Sequence, residues 1–143
     1  MKQIRVKDIM TENPYVISPK KTIREAAKRM KELECGILPV GTADDLVGMI
    51  TDRDIVIRCL AEDGDYKTQT IEDVMTNDVI SCNEDDELTA VADIMAENQV
   101  GRLIVLDRNK RVSGILSFGS IARNADDAKL INEVLLLATA KAA

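Results

Sequence analysis

The sequence predicts a mixed α/β (α+β) fold in which one β-α-β-β-α unit occurs twice and is followed by a C-terminal helix. Similar segments return after 63 to 66 residues along most of the chain, which indicates a duplicated unit. Within each repeat, short apolar runs typical of strands alternate with apolar residues at helical spacing. The chain has 143 residues, 45% of them hydrophobic and 31% charged, which is ordinary for a folded globular protein.

The duplication is carried by segments that keep their order in both halves. The matching segments are "VKDIMT" at 6 to 11 with "IEDVMT" at 71 to 76, "VIS" at 16 to 18 with "VIS" at 79 to 81, "CGILPV" at 35 to 40 with "VGRLIV" at 100 to 105, and "LVGMIT" at 46 to 51 with "VSGILS" at 112 to 117. The chain is therefore predicted to consist of a first repeat at 1 to 62, a linker at 63 to 70, a second repeat at 71 to 125 and a helical tail at 126 to 143.

Each repeat is predicted to begin with the short strand "VIS" and to continue into an amphipathic helix. Thr22, with Glu25 three residues later, forms a capping box that starts the first of these helices. Apolar residues at helical spacing make up the predicted inner faces, which are Ile23, Ala26, Ala27, Met30 and Leu33 in the first repeat and Leu88, Val91, Ala92 and Met95 in the second.

Two apolar runs follow each of these helices, separated by turn residues, so each pair is predicted to form adjacent strands. A second helix follows, and in the first repeat it carries Ile55, Val56, Cys59 and Leu60. The tail is rich in Ala and Leu and predicts a terminal helix whose apolar face is available to a partner chain. That face consists of Leu130, Ile131, Val134, Leu135 and Ala138.

Composition excludes several classes of protein. A net charge of −6 argues against a general nucleic-acid binder, and an aromatic content of 2% leaves few platforms for base stacking. No apolar run approaches the roughly 18 residues that a membrane span needs, and the first ten residues lack the apolar core of a signal peptide. The sequence therefore predicts a cytoplasmic protein that neither enters a membrane nor binds nucleic acid.

The chain contains no histidine, which restricts both metal binding and catalysis. Cys35, Cys59 and Cys82 are widely spaced, so a Cys/His zinc site and a Cys-His nucleophile are excluded, and the thiols are expected to act as small apolar residues. The acidic run at 83 to 87 does not have the spacing of a calcium loop and is expected at the surface. We therefore predict no catalytic cofactor, no metal site and no enzymatic activity.

The segment "GMITDRD" at 48 to 54 is the strongest candidate for a binding site. It is predicted to lie where a strand leads into a helix, so backbone N–H groups, the Thr51 hydroxyl and the Arg53 guanidinium can converge on a phosphate. The Asp54 carboxylate can accept hydrogen bonds from ribose hydroxyls. The same Thr51 and Asp54 could instead serve only to cap the helix.

The ordered set "DIMT", "VIS", "CGILPV" and "GMITDRD", within a repeat that covers about residues 6 to 125, resembles a tandem pair of cystathionine-β-synthase (CBS) domains, the Bateman module. A chain with little beyond the pair is similar to stand-alone members such as the hypoxic response proteins. The resemblance implies that the two repeats are packed with pseudo-twofold symmetry. It also implies two clefts between the repeats that bind AMP, ADP, ATP or S-adenosylmethionine as regulatory ligands. It also implies a disc-shaped homodimer and an effector protein that the sequence does not identify.

The resemblance also implies which residues bind the ligand. The family pattern of Gly, two residues, Ser or Thr, two residues and Asp is met by Gly48, Thr51 and Asp54, with Thr51 expected at the phosphate and Asp54 at the ribose. The first cleft is expected to be lined by Thr51, Arg53, Asp54, Val79, Val100, Gly101 and Arg102.

The second repeat departs from this pattern at its last position. Gly114 and Ser117 are present, but Ser120 stands where the ribose-binding Asp is expected, and one neutral hydroxyl replaces an anionic acceptor. The second cleft is therefore expected to be empty, weak or suited to a different ligand. Its expected residues are Val16, Gly36, Ile37, Pro39, Ser117 and Ser120.

Together these features predict a regulatory module that senses an adenine nucleotide, or a related adenosyl ligand, without catalysing a reaction. The alternative is a structural or protein-interaction protein whose clefts are vestigial and which acts through dimer surfaces.

Overall fold

The computed structural model describes residues 4 to 42 and 44 to 139, and it has the mixed α/β architecture that the sequence predicts. Its contacts divide the chain into two compact units. We call Tyr15–Val79 the continuous unit, and Met1–Pro14 together with Ile80–Ala143 the composite unit. Among the described residues, no helix combines the length and apolar character required to cross a membrane.

The continuous unit contains one helix and one antiparallel strand pair, followed by a helix of mixed type. Its elements are α1 (Ile23–Leu33), β2 (Ile37–Gly41), β3 (Leu46–Thr51) and α2 (Asp52–Asp54), which continues as a π-helical stretch over Ile55–Leu60, and a 3-10 turn over Ile71–Asp73. The predicted first strand "VIS" is reduced to a single parallel bridge between Ile17 and Val40. The predicted pairing of the next two strands is confirmed by β2 and β3.

The start of α1 is fixed by local signals and by the segment predicted as a linker. The Thr22 hydroxyl accepts a hydrogen bond from the backbone N–H of Glu25 at 3.2 Å, which confirms Thr22 as the N-cap of α1. The N–H of Ile23 donates to the Gln69 carbonyl at 3.0 Å, and the N–H of Arg24 donates to the Tyr66 carbonyl at 2.9 Å. Residues of the predicted linker therefore satisfy N–H groups that a helix cannot pair internally.

Fewer helix residues are buried in the core of the continuous unit than the sequence predicts. Ile23, Ala26 and Met30 of α1 are buried as expected, whereas Ala27 is exposed and Leu33 is 49% exposed. In the second helix only Cys59 of the predicted inner residues is buried. Within the described residues, the buried core of this unit consists of Ile17, Ile23, Ala26, Met30, Leu38, Val40, Ile50, Cys59, Ile71 and Val74.

The composite unit contains four strands, three helices and a 3-10 turn among the described residues. Its elements are a 3-10 turn over Val6–Asp8, β1 (Thr11–Glu12), β4 (Ser81–Asn83), α3 (Leu88–Asn98), β5 (Arg102–Leu106), β6 (Val112–Ser117), α4 (Phe118–Asn124) and α5 (Ala128–Thr139). The strands form one sheet in the order β1-β6-β5-β4. β4 runs parallel to β5, and the other pairs are antiparallel. The predicted inner residues of α3 are all buried.

The N-terminal segment packs with the second repeat rather than with the first. The N–H of Val6 donates to the Asp86 carbonyl at 3.0 Å, and the N–H of Leu88 donates to the Ile4 carbonyl at 2.9 Å. The Lys7 ammonium lies 3.0 Å from the Asp85 carboxylate, and β1 pairs with β6. The compact units therefore do not follow the order of the sequence repeats.

The terminal helix α5 packs on α3 of its own unit. Val134 and Ala138 are each 1% exposed, and Leu130, Ile131 and Leu135 pack against the same core. The apolar face predicted from the tail is therefore covered within the chain rather than by a partner chain.

The cysteines behave as the sequence predicts for small apolar residues. Cys59 and Cys82 are buried and Cys35 is half-buried, and all three are free thiols. Burial raises the pKa of the Cys82 thiol to about 12, with a further contribution from the Asp86 charge, so that thiol stays protonated at neutral pH.

Candidate functional site

The candidate site begins at the turn from β3 into α2 in the continuous unit. The Thr51 hydroxyl accepts a hydrogen bond from the N–H of Asp54 at 3.0 Å, and the Asp54 carboxylate accepts one from the N–H of Thr51 at 2.9 Å. These reciprocal bonds form a capping box, which satisfies two N–H groups at the helix start. The cap fixes both side chains at the corner where the strand becomes a helix.

Asp54 has two further partners, although it is only 7% exposed. The Thr76 hydroxyl donates to its carboxylate, with distances of 3.1 and 3.2 Å to the two oxygens, and Arg58 Nε lies 3.7 Å from Oδ1. A carboxylate offers about four acceptor positions, so the bonds from Thr51 and Thr76 leave capacity for another donor. The Thr51 hydroxyl accepts one bond and, within the described residues, donates none.

Three other predicted residues lie at the same corner. The Gly36 carbonyl accepts a hydrogen bond from the N–H of Asp52 at 2.9 Å, and Ile37 pairs with Thr51 across the β2/β3 ladder. The Arg53 side chain is exposed one position before Asp54. The continuous unit thus brings together a carboxylate, a hydroxyl, a guanidinium and a strand start.

The remaining predicted residues of the continuous unit lie along its strands and at its end. Pro39 is buried in β2, where its carbonyl accepts from the N–H of Ile17 at 2.9 Å, next to half-buried Val16. Val79 is half-buried and is the last residue of the unit.

The composite unit has an equivalent corner between β6 and α4. The Ser117 hydroxyl accepts from the N–H of Ser120 at 3.0 Å, and the Ser120 hydroxyl accepts from the N–H of Ser117 at 2.9 Å. The Ser120 hydroxyl also donates to the Ser117 carbonyl at 2.9 Å, and its side chain is fully buried. The cap is therefore preserved, but Ser120 brings no negative charge and donates its one proton within the turn.

The other predicted residues of the composite unit surround this second corner. The Gly101 carbonyl accepts from the N–H of Phe118 at 3.1 Å, and Arg102 pairs with Ser117 across the β5/β6 ladder. Val100 is half-buried against the core. In each unit, one corner therefore contains residues that the resemblance assigns to different clefts. The assignment of these residues to two ligand clefts stays a prediction.

The glycine of the pattern has a packing role in both units. A Cβ atom on Gly48 would lie 2.8 Å from the Thr76 carbonyl oxygen and 2.9 Å from Met75 Sδ, and one on Gly114 would lie 2.9 Å from the Thr11 carbonyl oxygen. Another chain segment crosses β3 and β6 at these points, and only glycine leaves room for it. Met75, which packs against the core of the continuous unit, also lies at this close approach.

The sequence analysis assigns no role to Thr76, although the Thr76 hydroxyl donates a hydrogen bond to the Asp54 carboxylate. A signal was available, because the repeated segments "DIMT" and "DVMT" place a threonine at the same position of both repeats. Arg58, which the sequence analysis assigns to neither cleft, also lies within ion-pair distance of the Asp54 carboxylate.

Comparison with known proteins places the chain in a family. A sequence profile of the CBS domain matches residues 6–60 and 71–127. The chain belongs to the CBS domain family. It is 40% identical over 119 residues to the CBS domain-containing protein YhcV of Bacillus subtilis (strain 168), covering 83% of this chain and 84% of that protein. It is 32% identical over 129 residues to hypoxic response protein 1 of Mycobacterium tuberculosis (strain H37Rv), covering 90% of each.

A solved CBS structure is also similar. The CBS domain pair of protein MJ0100, in complex with 5′-methylthioadenosine and S-adenosyl-L-methionine, matches with a TM-score of 0.76 and 33% identity. The match covers 85% of this chain and 95% of that one. The fold predicted from the duplicated sequence is thereby confirmed as that of a CBS pair.

Proposed function

We propose that this CBS pair is a regulatory module that binds an adenosyl ligand (AMP, ADP, ATP or S-adenosylmethionine) at the corner of Thr51, Arg53 and Asp54, and that it catalyses no reaction. The observation that carries the proposal is the buried Asp54 carboxylate, which keeps acceptor capacity after the cap is made. The two hydroxyls of a ribose are suitable donors for that carboxylate. The Thr51 hydroxyl and Arg53 are suitable donors to a phosphate.

The ligand class is supported by a relative. The MJ0100 CBS pair, 33% identical to this chain, is in complex with two adenosyl compounds. Both compounds contain a ribose, the group to which we assign Asp54. The phosphate-binding role of Arg53 would favour a nucleotide over S-adenosylmethionine, which carries no phosphate.

We also propose that the two predicted sites are unequal. The corner at Ser120 has no carboxylate, and its hydroxyl is buried and bonded within the turn. A ribose would find no anionic acceptor there. One strong binding event per chain is therefore expected, with the second weak or absent.

Thermal unfolding with millimolar AMP, ADP, ATP or S-adenosylmethionine tests the proposal. A ligand at about 100 times its Kd stabilises the folded state by about 2.7 kcal/mol, which raises the Tm by several degrees. The test variant is Asp54→Asn, whose side-chain oxygen can still cap the helix but lacks the charge and the second acceptor oxygen. The matched control is Asp73→Asn, because Asp73 accepts equivalent bonds from the N–H and the hydroxyl of Thr70 in a different turn.

We expect a ligand-dependent rise in Tm for the wild type and for Asp73→Asn, and a smaller rise or none for Asp54→Asn. An equal rise in all three proteins would show that the ligand binds elsewhere. Sustained ATP hydrolysis by the pure wild-type protein would contradict the absence of catalysis.

The alternative function, a structural or protein-interaction module, is favoured by a different observation. Thr51 and Asp54 already have a complete structural role as a capping box, and Val56, Ile57 and Leu60 are each about half exposed. Such a surface suits a homodimer or an effector protein. We include a homodimer in the proposed function as well. The absence of any ligand-dependent rise in Tm would favour the structural or protein-interaction module over the ligand-binding module.

A further inference from the structure

Equivalent helix surfaces of the two units are covered differently. On α3, Ala92 is fully buried in the same cluster as Val134 and Ala138 of α5. The repeat-equivalent residue on α1 is Ala27, which is exposed. The surface that α5 covers in the composite unit therefore lies open in the continuous unit.

This open surface contains a pocket of about 340 Å³. Its wall is almost entirely apolar and includes Ala27, Ile55, Leu60 and Tyr66, of which Leu60 is 53% and Tyr66 41% exposed. The volume is at the low end of the range of about 300 to 1,000 Å³ found for ligand pockets, but such pockets usually also contain converging polar groups. An apolar wall of this kind favours aliphatic side chains over a polar small molecule.

The rim of the pocket is basic. Arg24, Lys28 and Lys31 follow one another at four and three residues on α1 and therefore form one stripe. Within the described residues, none of the three cations makes an ion pair. Two such pockets facing each other would bring like charges together, which is unfavourable. The complementary surface should instead combine aliphatic side chains with a carboxylate.

The outer side of α5 has this chemistry. Leu136 is 62% exposed and Leu137 41% exposed, and Glu133 is exposed one helical turn before them. Within the described residues of the composite unit, these leucines are the large apolar side chains that remain exposed. Leu136 lies opposite the side of α5 that packs on α3, and Leu137 lies at the edge of that side, one turn after Val134.

We propose that two copies of this chain associate by packing the outer side of α5 of one copy onto the basic-rimmed pocket of the other. Leu136 and Leu137 contact the apolar wall, and Glu133 pairs with the lysine and arginine rim. The inference rests on the homodimer of the proposed function and deepens it by naming the two surfaces. Each copy carries both surfaces, with the outer side of α5 on the composite unit and the pocket on the continuous unit.

Molar mass measured by sedimentation equilibrium tests this contact. Leu60→Asp alters the pocket and Leu136→Asp alters α5, and each places a carboxylate against apolar surface in the associated state. Each variant should weaken association at least about tenfold, because a desolvated and unpaired charge is costly. The matched control is Leu33→Asp, an exposed leucine on α1 outside the pocket, which should associate like the wild type.

An equimolar mixture of Leu60→Asp and Leu136→Asp separates two arrangements. In the proposed pair, the intact α5 of the first variant meets the intact pocket of the second, so the mixture regains a heterodimer that neither variant forms alone. In a pocket-to-pocket dimer, Leu136→Asp alone would associate like the wild type because its pocket is unaltered, and the mixture would form no more dimer than Leu136→Asp forms alone. Charge reversal gives a second test, in which Lys28→Glu and Glu133→Lys each weaken association and the double variant regains it.

The outcomes separate the proposed contact between α5 and the pocket from the existence of a homodimer. A monomeric wild-type protein would overturn both. A dimer that is lost with Leu60→Asp but unchanged by Leu136→Asp would keep the homodimer and overturn the α5 contact. A dimer unaffected by either substitution would place the contact on another surface.

Discussion

Asp54 and Ser120 occupy the same position in two equivalent turns, and the comparison separates a structural task from a chemical one. Both side chains accept the backbone N–H three residues earlier, so either residue type completes the cap. Only the carboxylate keeps free acceptor positions and a charge. The ability of the second repeat to fold therefore gives no information about its ability to bind a ribose.

The two pattern glycines should tolerate no larger residue. In Gly48→Ala the new methyl group would meet backbone at Thr76, so we expect a loss of about 1 to 3 kcal/mol in the free energy of unfolding, measured with urea. The control is Gly119→Ala in α4, where the methyl group would meet only the flexible end of Arg123. That variant should be neutral or slightly more stable, and equal losses in both would contradict the packing role of Gly48.

Contacts between residues close together in the sequence were predictable, and contacts between residues far apart in the sequence were not. The Thr22 cap depends on a residue three positions away, so the sequence alone indicated it. The Thr51 and Asp54 cap was anticipated as an alternative for the same reason. The bond from Thr76 to Asp54 joins residues 22 positions apart and depends on where a crossing segment passes the sheet.

Helix faces were predicted correctly where the helix is regular. The inner residues predicted for α3 are buried, whereas Val56 and Leu60, predicted to face inwards with Cys59, are about half exposed. The helix over Ile55–Leu60 is a π-helix, in which the N–H of Ala61 donates to the Val56 carbonyl at 2.9 Å. Because bonds five residues apart widen each turn, a 3.6-residue period assigns the wrong residues to the buried face.

The packing of α5 on α3 should contribute measurably to stability. Val134→Ala removes two methyl groups from a site that is 1% exposed, and we expect a loss of about 2 kcal/mol in the free energy of unfolding. Asn132→Ala, at an exposed position of the same helix, should change it by less than about 0.5 kcal/mol. Urea unfolding measures both, and a negligible loss for Val134→Ala would contradict the packing of α5.

The attachment of the N-terminal segment should depend on pH. Hydrogen bonds from Lys7 and Arg108 lower the pKa of Asp85 below its ordinary value of 3.8, so the ionised form favours folding at pH values above that value. This stabilisation should disappear as the pH falls through the lowered pKa. The Tm difference between wild type and Asp85→Asn should therefore be present at neutral pH and shrink below pH 3.8.

The control for this prediction is Asp93→Asn, at an exposed position of α3. Its Tm difference from the wild type should stay small and change little over the same pH range. Added salt should also reduce the effect of Asp85→Asn, since exposed ion pairs are screened. A difference that grows on acidification would contradict the assigned ion pairs.

At the scale of the whole molecule, sequence repeats and compact units are different divisions of the chain. Similarity identified the duplication and its order correctly, but it does not report which segments are in contact. Val6 belongs to the first repeat by similarity and lies in the core of the composite unit. Its repeat equivalent, Ile71, lies in the core of the continuous unit. The predicted boundaries at 62, 70 and 125 stay a description of the sequence.

Hydrogen exchange should reveal this division in the intact protein. Val6→Ala should lower amide protection mainly in residues 80 to 134, although residue 6 lies in the first repeat by sequence. Ile71→Ala should lower protection mainly in residues 15 to 79. Both side chains are fully buried, so the two variants are matched. Loss of protection in the opposite units would contradict the contact-based division.

The composite unit is formed by two segments that are separated in the chain, so its parts are synthesised at different times. The continuous unit is a single stretch of chain and is complete once residue 79 has left the ribosome. The segment before residue 15 is made earlier but must wait for β6, since Thr11 pairs with Ile115. This long sequence separation raises the contact order of the composite unit, so we expect it to fold after the continuous unit and more slowly.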